Sequence, residues 1–255
     1  LKKVLSHFYN QFFLSSRNEL ERARNSFNLN PFNMSEDQQI SVNFTIKNSL
    51  YFNRGLQNFS TTYTYAKAEN KQQYSIGSQD TDTNYQQIDF QHKISKFWLI
   101  DLQGKLSENK LETENFNNRN YEIDVIAFQP KISYVLNNDN RFSAFYHMKN
   151  KENTLAEFEK LKQQKIGVEY FYTGKSTSQF NANFTTFFND FDGNPNSPVG
   201  YQMLEGLQEG TNYTWSFLWN KKLNSFLNVN LNYKGRKSLN SKTIHTGTIN
   251  LKAVF

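Results

Sequence analysis

Alternation of apolar and polar residues with a period of two constrains this chain more than any other feature. The clearest run is 227–233, in which Leu, Val, Leu and Tyr alternate with three Asn. Such alternation predicts strands with one apolar and one polar face. The predicted strands lie near 4–14, 40–53, 58–67, 84–95, 97–107, 120–136, 140–150, 162–173, 178–188, 211–220, 225–235 and 242–255. Most exceed the roughly 5–6 residues of an ordinary globular strand and match the roughly 9–11 that a tilted membrane-spanning strand needs.

The connections between these strands alternate between short and long. Short connections, with the Asn, Asp, Gly and Ser typical of tight turns, are predicted at 53–58, 95–97, 137–140, 174–177 and 220–224. Long polar connections are predicted at 15–39, 68–83, 108–119, 151–161 and 189–210, with a medium one at 236–241. Short turns at one end of the strands and long loops at the other are typical of outer-membrane barrels.

The polar face of the strands favours a membrane barrel over a soluble β-sandwich, which also alternates. It carries Asn, Gln and Thr, with charges in mid-strand at Asp89, Lys93, Asp101, Lys105 and Glu169. Because backbone polar groups in hydrocarbon must be paired internally, strands cross a membrane only as a closed barrel. We therefore expect an all-β fold, an antiparallel up-and-down transmembrane β-barrel of about 12 strands with short periplasmic turns and long extracellular loops. A soluble β-sandwich or barrel is the alternative.

Composition excludes several other classes. Aromatic residues make up 16% of the chain, whereas disordered chains are poor in aromatics. The chain has no cysteine, so disulfides, thiolate nucleophiles and Cys-ligated metals are excluded. The net charge is +6, and the Lys and Arg residues are scattered among acidic residues. They form none of the basic stripes of a nucleic-acid binder. No nucleic-acid partner is therefore expected.

The C-terminal part of the chain resembles a known group of proteins. Phe255 ends an alternating strand, as a C-terminal aromatic does in bacterial outer-membrane barrels, where it is an assembly signal. Four segments, 200–207, 210–215, 235–238 and 243–247 (GYQMLEGL, GTNYTW, GRKS and TIHTG), resemble the C-terminal end of large Bacteroidota outer-membrane proteins. Those are long chains with a periplasmic portion before the barrel, and most have no assigned function. The resemblance implies that residues 1–255 are a single outer-membrane barrel domain, the C-terminal part of a longer chain, in a Gram-negative bacterium.

Large aromatics near the predicted strand ends are candidates for the membrane-interface girdle, because Trp and Tyr favour that interface. They are Trp98, Tyr134, Tyr172, Trp215, Trp219 and Tyr233. The alternative is that they are ordinary large strand residues.

Three local features interrupt the pattern. The apolar phase moves from odd to even positions at Val125–Ile126, which predicts a β-bulge. Pro130 cannot donate to the ladder, so a local interruption of that strand is expected. Residues 16–19 resemble a capping box and predict a short helix through Asn25, either in a solvated loop or inside the lumen.

No arrangement of residues predicts catalysis or metal binding. His7, His92, His147 and His245 lack partners at metal-ligand spacing, and residues 190–201 only superficially resemble a calcium loop because the expected Gly and final Glu are missing. We therefore expect no catalytic, cofactor-binding or metal site. The charges of mixed sign on the polar face, with Glu122 and Asp124 included, favour internal salt bridges over a selective pore.

These inferences predict a non-enzymatic outer-membrane anchor and interaction subunit of an outer-membrane protein complex. The alternatives are a channel for small solutes or peptides and an outer-membrane enzyme. Expected partners are outer-membrane lipid including lipopolysaccharide, the barrel-assembly machinery during insertion, and protein subunits. The apolar residues Tyr201, Met203, Leu204 and Leu207 are predicted to pack over the barrel mouth or against a partner, because apolar surface is disfavoured in water. The other possibility is that they extend the following strand.

Overall fold

In the part of the chain that the structure describes, twelve strands form one antiparallel sheet in which each strand pairs with its neighbours in sequence, from β1–β2 to β11–β12. This computed structural model describes residues 12–27, 37–53, 58–74, 77–155, 158–174, 178–224, 226–239 and 241–253. The strands are β1 (Phe12–Phe27), β2 (Asp37–Phe52), β3 (Phe59–Tyr74), β4 (Gly77–Lys93), β5 (Trp98–Thr113), β6 (Tyr121–Val135), β7 (Asn140–Asn153), β8 (Lys160–Gly174), β9 (Ser178–Asp192), β10 (Gly210–Lys222), β11 (Leu227–Ser238) and β12 (Ile244–Ala253). The predicted all-β, up-and-down architecture is confirmed.

Among the described residues, helical structure is confined to two short pieces. A 3₁₀ turn at Asn117–Arg119 follows β5, and helix α1 (Pro198–Met203) lies between β9 and β10. Within the described ranges no helix has the length and hydropathy needed to cross a bilayer.

The two faces of the sheet differ as the alternation predicts. Small polar residues on neighbouring strands hydrogen-bond on the inner face: Ser49 and Thr64 hydroxyls lie 3.1 Å apart, and those of Ser133 and Ser143 lie 2.9 Å apart. All four of these side chains are buried, whereas apolar residues on the other face are exposed, among them Leu251 at 69%. The exposed apolar face is therefore the lipid-facing one.

The strands are longer than a membrane crossing requires. β5 has 16 residues, which is roughly 50 Å of extended chain. Its lipid-facing positions from Trp98 to Leu106 are apolar or Gly, and the next three are Glu108, Lys110 and Glu112. Since roughly 9–11 residues cross a membrane, the half of the sheet near the short turns spans the bilayer and the other half stands beyond it.

The predicted facing of two charged residues is wrong. Glu122 and Asp124 of β6 pair with Lys110 and Glu108 of β5, on the lipid-facing side and beyond the apolar band. Because both side chains face outward, their charges do not enter the lumen. They lie in the part of β6 that stands beyond the membrane.

The long connections predicted at 15–39 and 68–83 are mostly strand, and the one predicted at 151–161 is shorter than expected because β7 runs to Asn153 and β8 begins at Lys160. β3 and β4 extend until only residues 75–76 separate them. The predicted helix from Ser16 to Asn25 is wrong, because these residues pair with β2, from Ser16 opposite Asn48 to Asn25 opposite Gln39. A local capping signal is overridden here by ladder pairing with the neighbouring strand. Most of the strand predicted near 4–14 lies outside the described residues.

The predicted bulge at Val125–Ile126 is also wrong. The β5–β6 register continues without a break from Trp98 opposite Tyr134 to Leu111 opposite Tyr121. Val125 is buried on the inner face and Ile126 is exposed to lipid. The apolar residues shift from odd to even positions because the inner face of β6 is apolar at Ile123 and Val125, whereas further along the strand the apolar residues lie mainly on the outer face. The interruption expected at Pro130 is confirmed, since Gln129 and Pro130 are missing from the β6–β7 pairing.

Candidate functional site at the lumen mouth

Residues 193–209, here called the lumen loop, connect β9 to β10 and contain helix α1. Gly193 and Gly210 bracket this loop with φ angles of 146° and 83°, a backbone region that favours glycine. Ser197 caps the helix, its Oγ accepting a 2.9 Å hydrogen bond from the backbone N–H of Gly200. Pro198 follows at the first helical position, where its missing N–H is not needed.

The lumen loop packs on the inner wall of the sheet through an apolar cluster. Met203 and Leu204 are almost fully buried, at 0% and 1% exposure. The cluster consists of Val199, Met203 and Leu204 of the loop with Ile123 and Val125 of β6, Leu161 of β8 and Phe191 of β9. Each fully buried Leu or Met contributes about 1.5–3 kcal/mol relative to exposure. The inward apolar residues of β6, β8 and β9 are therefore the seat of the loop.

An ionic cluster lies beside the apolar one. Glu205 of the lumen loop is 2.6 Å from Lys149 Nζ, 2.9 Å from Lys151 Nζ and 3.4 Å from Lys165 Nζ. Lys151 also donates a 2.7 Å hydrogen bond to the carbonyl oxygen of Met203. The three lysine side chains are only 16%, 9% and 14% exposed. One carboxylate thus joins the loop to three inward lysines of β7 and β8.

The charge state of Glu205 depends on these lysines. Partial burial acts to raise the pKa of its carboxyl, but the charges of Lys151 and Lys165 and the hydrogen bond from Lys149 together hold that pKa well below its usual range. Glu205 is therefore ionised at neutral pH.

Amide side chains tie the second half of the loop to the strands beside it. Gln163 of β8 donates a 3.0 Å hydrogen bond to Asn189 of β9, which donates one of 2.9 Å to the Gln208 carbonyl. Asn212 of β10 donates to the same carbonyl at 2.7 Å. Gln163, Asn189 and Asn212 are buried, and such groups are costly unless hydrogen-bonded.

The far wall also reaches the loop. Arg236 of β11 donates a 3.3 Å hydrogen bond to the carbonyl oxygen of Gly206. The lumen loop therefore contacts inward residues of the consecutive strands β6 to β11, at the end of the sheet opposite the short turns.

The candidate contact residues of the loop divide into two groups. Met203 and Leu204 lie in the apolar cluster, and Leu207 is partly buried. Tyr201 points away from the wall and is 65% exposed. Sequence reasoning singled out the apolar residues but missed Glu205 and its lysines, because no local spacing signals that a loop carboxylate meets three strand lysines.

Charges deeper in the lumen are bound mostly by amides. Asp89 accepts 2.8 Å hydrogen bonds from Gln87 and Gln103, and Asp101 accepts one of 2.8 Å from Gln91. The expected internal salt bridges are represented at this depth by Lys131 with Glu169.

All six girdle candidates lie on the lipid-facing side. The rings of Trp98 and Tyr134 are 4.9 Å apart near the short turns, where Tyr172 and Trp219 also lie. Trp215 and Tyr233 form a second group higher on the sheet, joined by a 3.4 Å contact between the indole nitrogen and the phenol oxygen. Their girdle role stays a prediction. Phe255, the candidate assembly signal, lies outside the described residues.

One histidine belongs to the upper aromatic group. His245 Nδ1 is 2.7 Å from the Tyr233 hydroxyl. Across the described part of the chain no group of three His, Asp or Glu side chains is arranged to hold a metal ion.

Comparison with known proteins yields structural neighbours only, because no family model and no curated protein matches the chain. The ferric-catecholate import receptor Fiu from E. coli K12 is similar with a TM-score of 0.54 and 8% identity, over 95% of this chain and 56% of that chain. A Pseudomonas aeruginosa FadL homologue gives 0.51 and 9%, over 95% and 73%. The translocator domain of autotransporter NalP from Neisseria meningitidis gives 0.36 and 10%, over 100% and 93%. The chain has the fold of outer-membrane β-barrels, and with its lipid-facing apolar band it is located in the outer membrane of a Gram-negative bacterium.

Proposed function

We propose that this chain is a non-enzymatic membrane anchor and interaction subunit whose lumen is closed by its own loop. The observation that carries the proposal is the docking of Met203, Leu204 and Glu205 on the inner wall. A barrel whose mouth is filled by a seated loop holds the protein in the membrane without passing solutes. The resemblance of segments 200–207 and 235–238 to the C-terminal end of large Bacteroidota outer-membrane proteins supports the proposal that the chain anchors a larger protein.

The parts of the hairpins beyond the membrane supply the surface for protein partners. Their lipid-facing sides carry ion pairs above the apolar band, including Lys67 with Glu69 at 2.6 Å and Lys110 with Glu112 at 2.8 Å. Exposed ion pairs contribute little to stability. Contacts with protein partners and with lipopolysaccharide head groups therefore explain these charged residues better than stability does. Tyr201 at the outer side of the loop is a further contact residue, since an exposed aromatic suits an interface.

Single-channel conductance tests the closed lumen. In planar bilayers the full chain should give no stable conductance steps, whereas a variant lacking 194–208 should give them. Tyr201→Ala is the matched control, because it changes an exposed residue of the loop and should stay silent. Steps from the unaltered chain equal to those of the deletion variant would contradict closure.

A channel for small solutes or peptides is the second candidate. It is favoured by a cavity of about 690 Å³ at the short-turn end, lined by residues that include Asn220, Asn228 and Asn230. Polar side chains such as these asparagines suit solute passage. Conductance of the unaltered chain, in the experiment above, would support this function in place of the anchor.

A further inference from the structure

Three ammonium groups converge on one point of the inner wall. Lys149 and Lys151 lie two positions apart on β7, so both face inward, and Lys165 of β8 pairs opposite His147, two positions before Lys149. All three reach Glu205, at 2.6–3.4 Å. The site is thus assembled by two neighbouring strands of the sheet, whereas its carboxylate comes from the loop.

The charges of this cluster do not balance. Glu205 supplies one negative charge against three positive ones, and it is the carboxylate that forms ion pairs with these lysines in the described structure. The lysine side chains are at most 16% exposed. Charges removed from water need close partners, so the cluster has more capacity for anionic oxygen than one carboxylate supplies.

We propose that Lys149, Lys151 and Lys165 form a binding site for a divalent oxyanion of the phosphate class, which Glu205 occupies in its absence. A tetrahedral oxyanion offers an oxygen to each of three ammonium groups, and lysine binds phosphate as a point charge. The site lies on the inner wall of the lumen, which makes a dissolved anion the ligand rather than a lipid head group. This inference rests on the proposed closure of the lumen by the loop.

Binding of the anion has a mechanical consequence. Displacement of Glu205 removes the ion pairs that hold the loop, so that the apolar contacts of Met203 and Leu204 and the hydrogen bonds to the loop carbonyls remain. Lys151, which also binds the Met203 carbonyl, would turn to the anion. The oxyanion therefore favours the open position of the loop.

Hydrogen–deuterium exchange of residues 198–206 tests this in the unaltered chain, in lipid nanodiscs. At inorganic phosphate ten times above its Kd, exchange should rise about tenfold, by mass action on the open form. Sodium chloride at equal ionic strength should leave exchange near its starting value. Equal acceleration by both salts would mean screening only and would overturn the proposal.

Calorimetric titration with inorganic phosphate supplies the second measurement. Glu205→Gln should bind phosphate more tightly than the unaltered chain because the competing carboxylate is gone. Lys165→Gln should weaken binding, and Lys110→Gln, on the lipid-facing side, should not change it. Absence of binding heat in Glu205→Gln would overturn the site. Closure is judged separately by conductance without phosphate, so a failure of the anion site is distinguished from a failure of closure.

Discussion

The ammonium of Lys151 lies 2.9 Å from the Glu205 carboxylate and also donates a 2.7 Å hydrogen bond to the Met203 carbonyl. A single strand residue thus holds both the side chain and the backbone of the lumen loop. The loop is seated by this contact and by the burial of Met203 and Leu204 next to it. Removal of either half should loosen the loop without unfolding the sheet.

Glu205→Gln should loosen the lumen loop selectively. It leaves three lysines without their carboxylate, and the cost should be about 1–2 kcal/mol, below that of a fully buried pair because the side chain is 36% exposed. Local protection of residues 198–206 in hydrogen exchange measures this. Glu112→Gln, which breaks the exposed pair with Lys110, is the control and should leave the loop unchanged. Equal loss of protection in both variants would contradict the role of the cluster.

Low pH should release the loop. Docking lowers the pKa of Glu205 from an ordinary value of 4.5, so its stabilisation is complete above that value and is lost as pH falls below it. A spin label at Leu207→Cys reports loop mobility, which should rise only on acidification below this value. The same label in Glu205→Gln should show no such step. A step at neutral pH would point to a different group.

The two faces of β11 should respond oppositely to a charge. Leu231 faces lipid opposite Ile249, and Asn232 faces inward opposite Thr248. Leu231→Arg should cost roughly 2–4 kcal/mol near the bilayer midplane, while Asn232→Arg should cost much less. Urea unfolding in lipid vesicles gives both values. A larger cost for the Asn232 variant would reverse the assignment of the faces.

Gly235 should not tolerate a methyl group. A Cβ there would collide with the indole ring of Trp215 on the neighbouring strand. Gly235→Ala should therefore destabilise the barrel by about 1–3 kcal/mol through overpacking. Gly247→Ala is the control, since nothing lies within 4 Å of its added Cβ. Matching unfolding midpoints for the two variants would show that the Trp215 contact does not constrain this position.

The absence of cysteine allows a direct test of topology. Asp139 lies in the short turn between β6 and β7, and Asn194 is exposed in the lumen loop. In intact cells a membrane-impermeant maleimide should label Asn194→Cys and leave Asp139→Cys unlabelled until the outer membrane is opened. Labelling of Asp139→Cys alone would reverse the assigned membrane topology.

Sequence alone predicts the sheet well, because alternation records which face of each strand is buried. Leu227 to Tyr233 therefore lie as expected, with the apolar residues on the lipid side. Sequence reasoning fails where a local pattern is determined by a contact with residues that are distant in the chain. Ile123 and Val125 follow the inward phase because the loop, some 75 residues later, covers them. The capping signal at Ser16 is overridden by pairing with Asn48.

Cross-linking of the lumen loop to the inner wall tests the central claim most directly. Val125 and Met203 share the buried cluster, whereas the neighbouring Asp124 faces the opposite side of β6. In the membrane-embedded protein, a short bis-maleimide should join Val125→Cys to Met203→Cys, as seen by mass spectrometry after proteolysis. The Asp124→Cys and Met203→Cys pair should remain unjoined. Cross-linking of the Asp124 pair, or none in the Val125 pair, would contradict the seating of the loop inside the barrel.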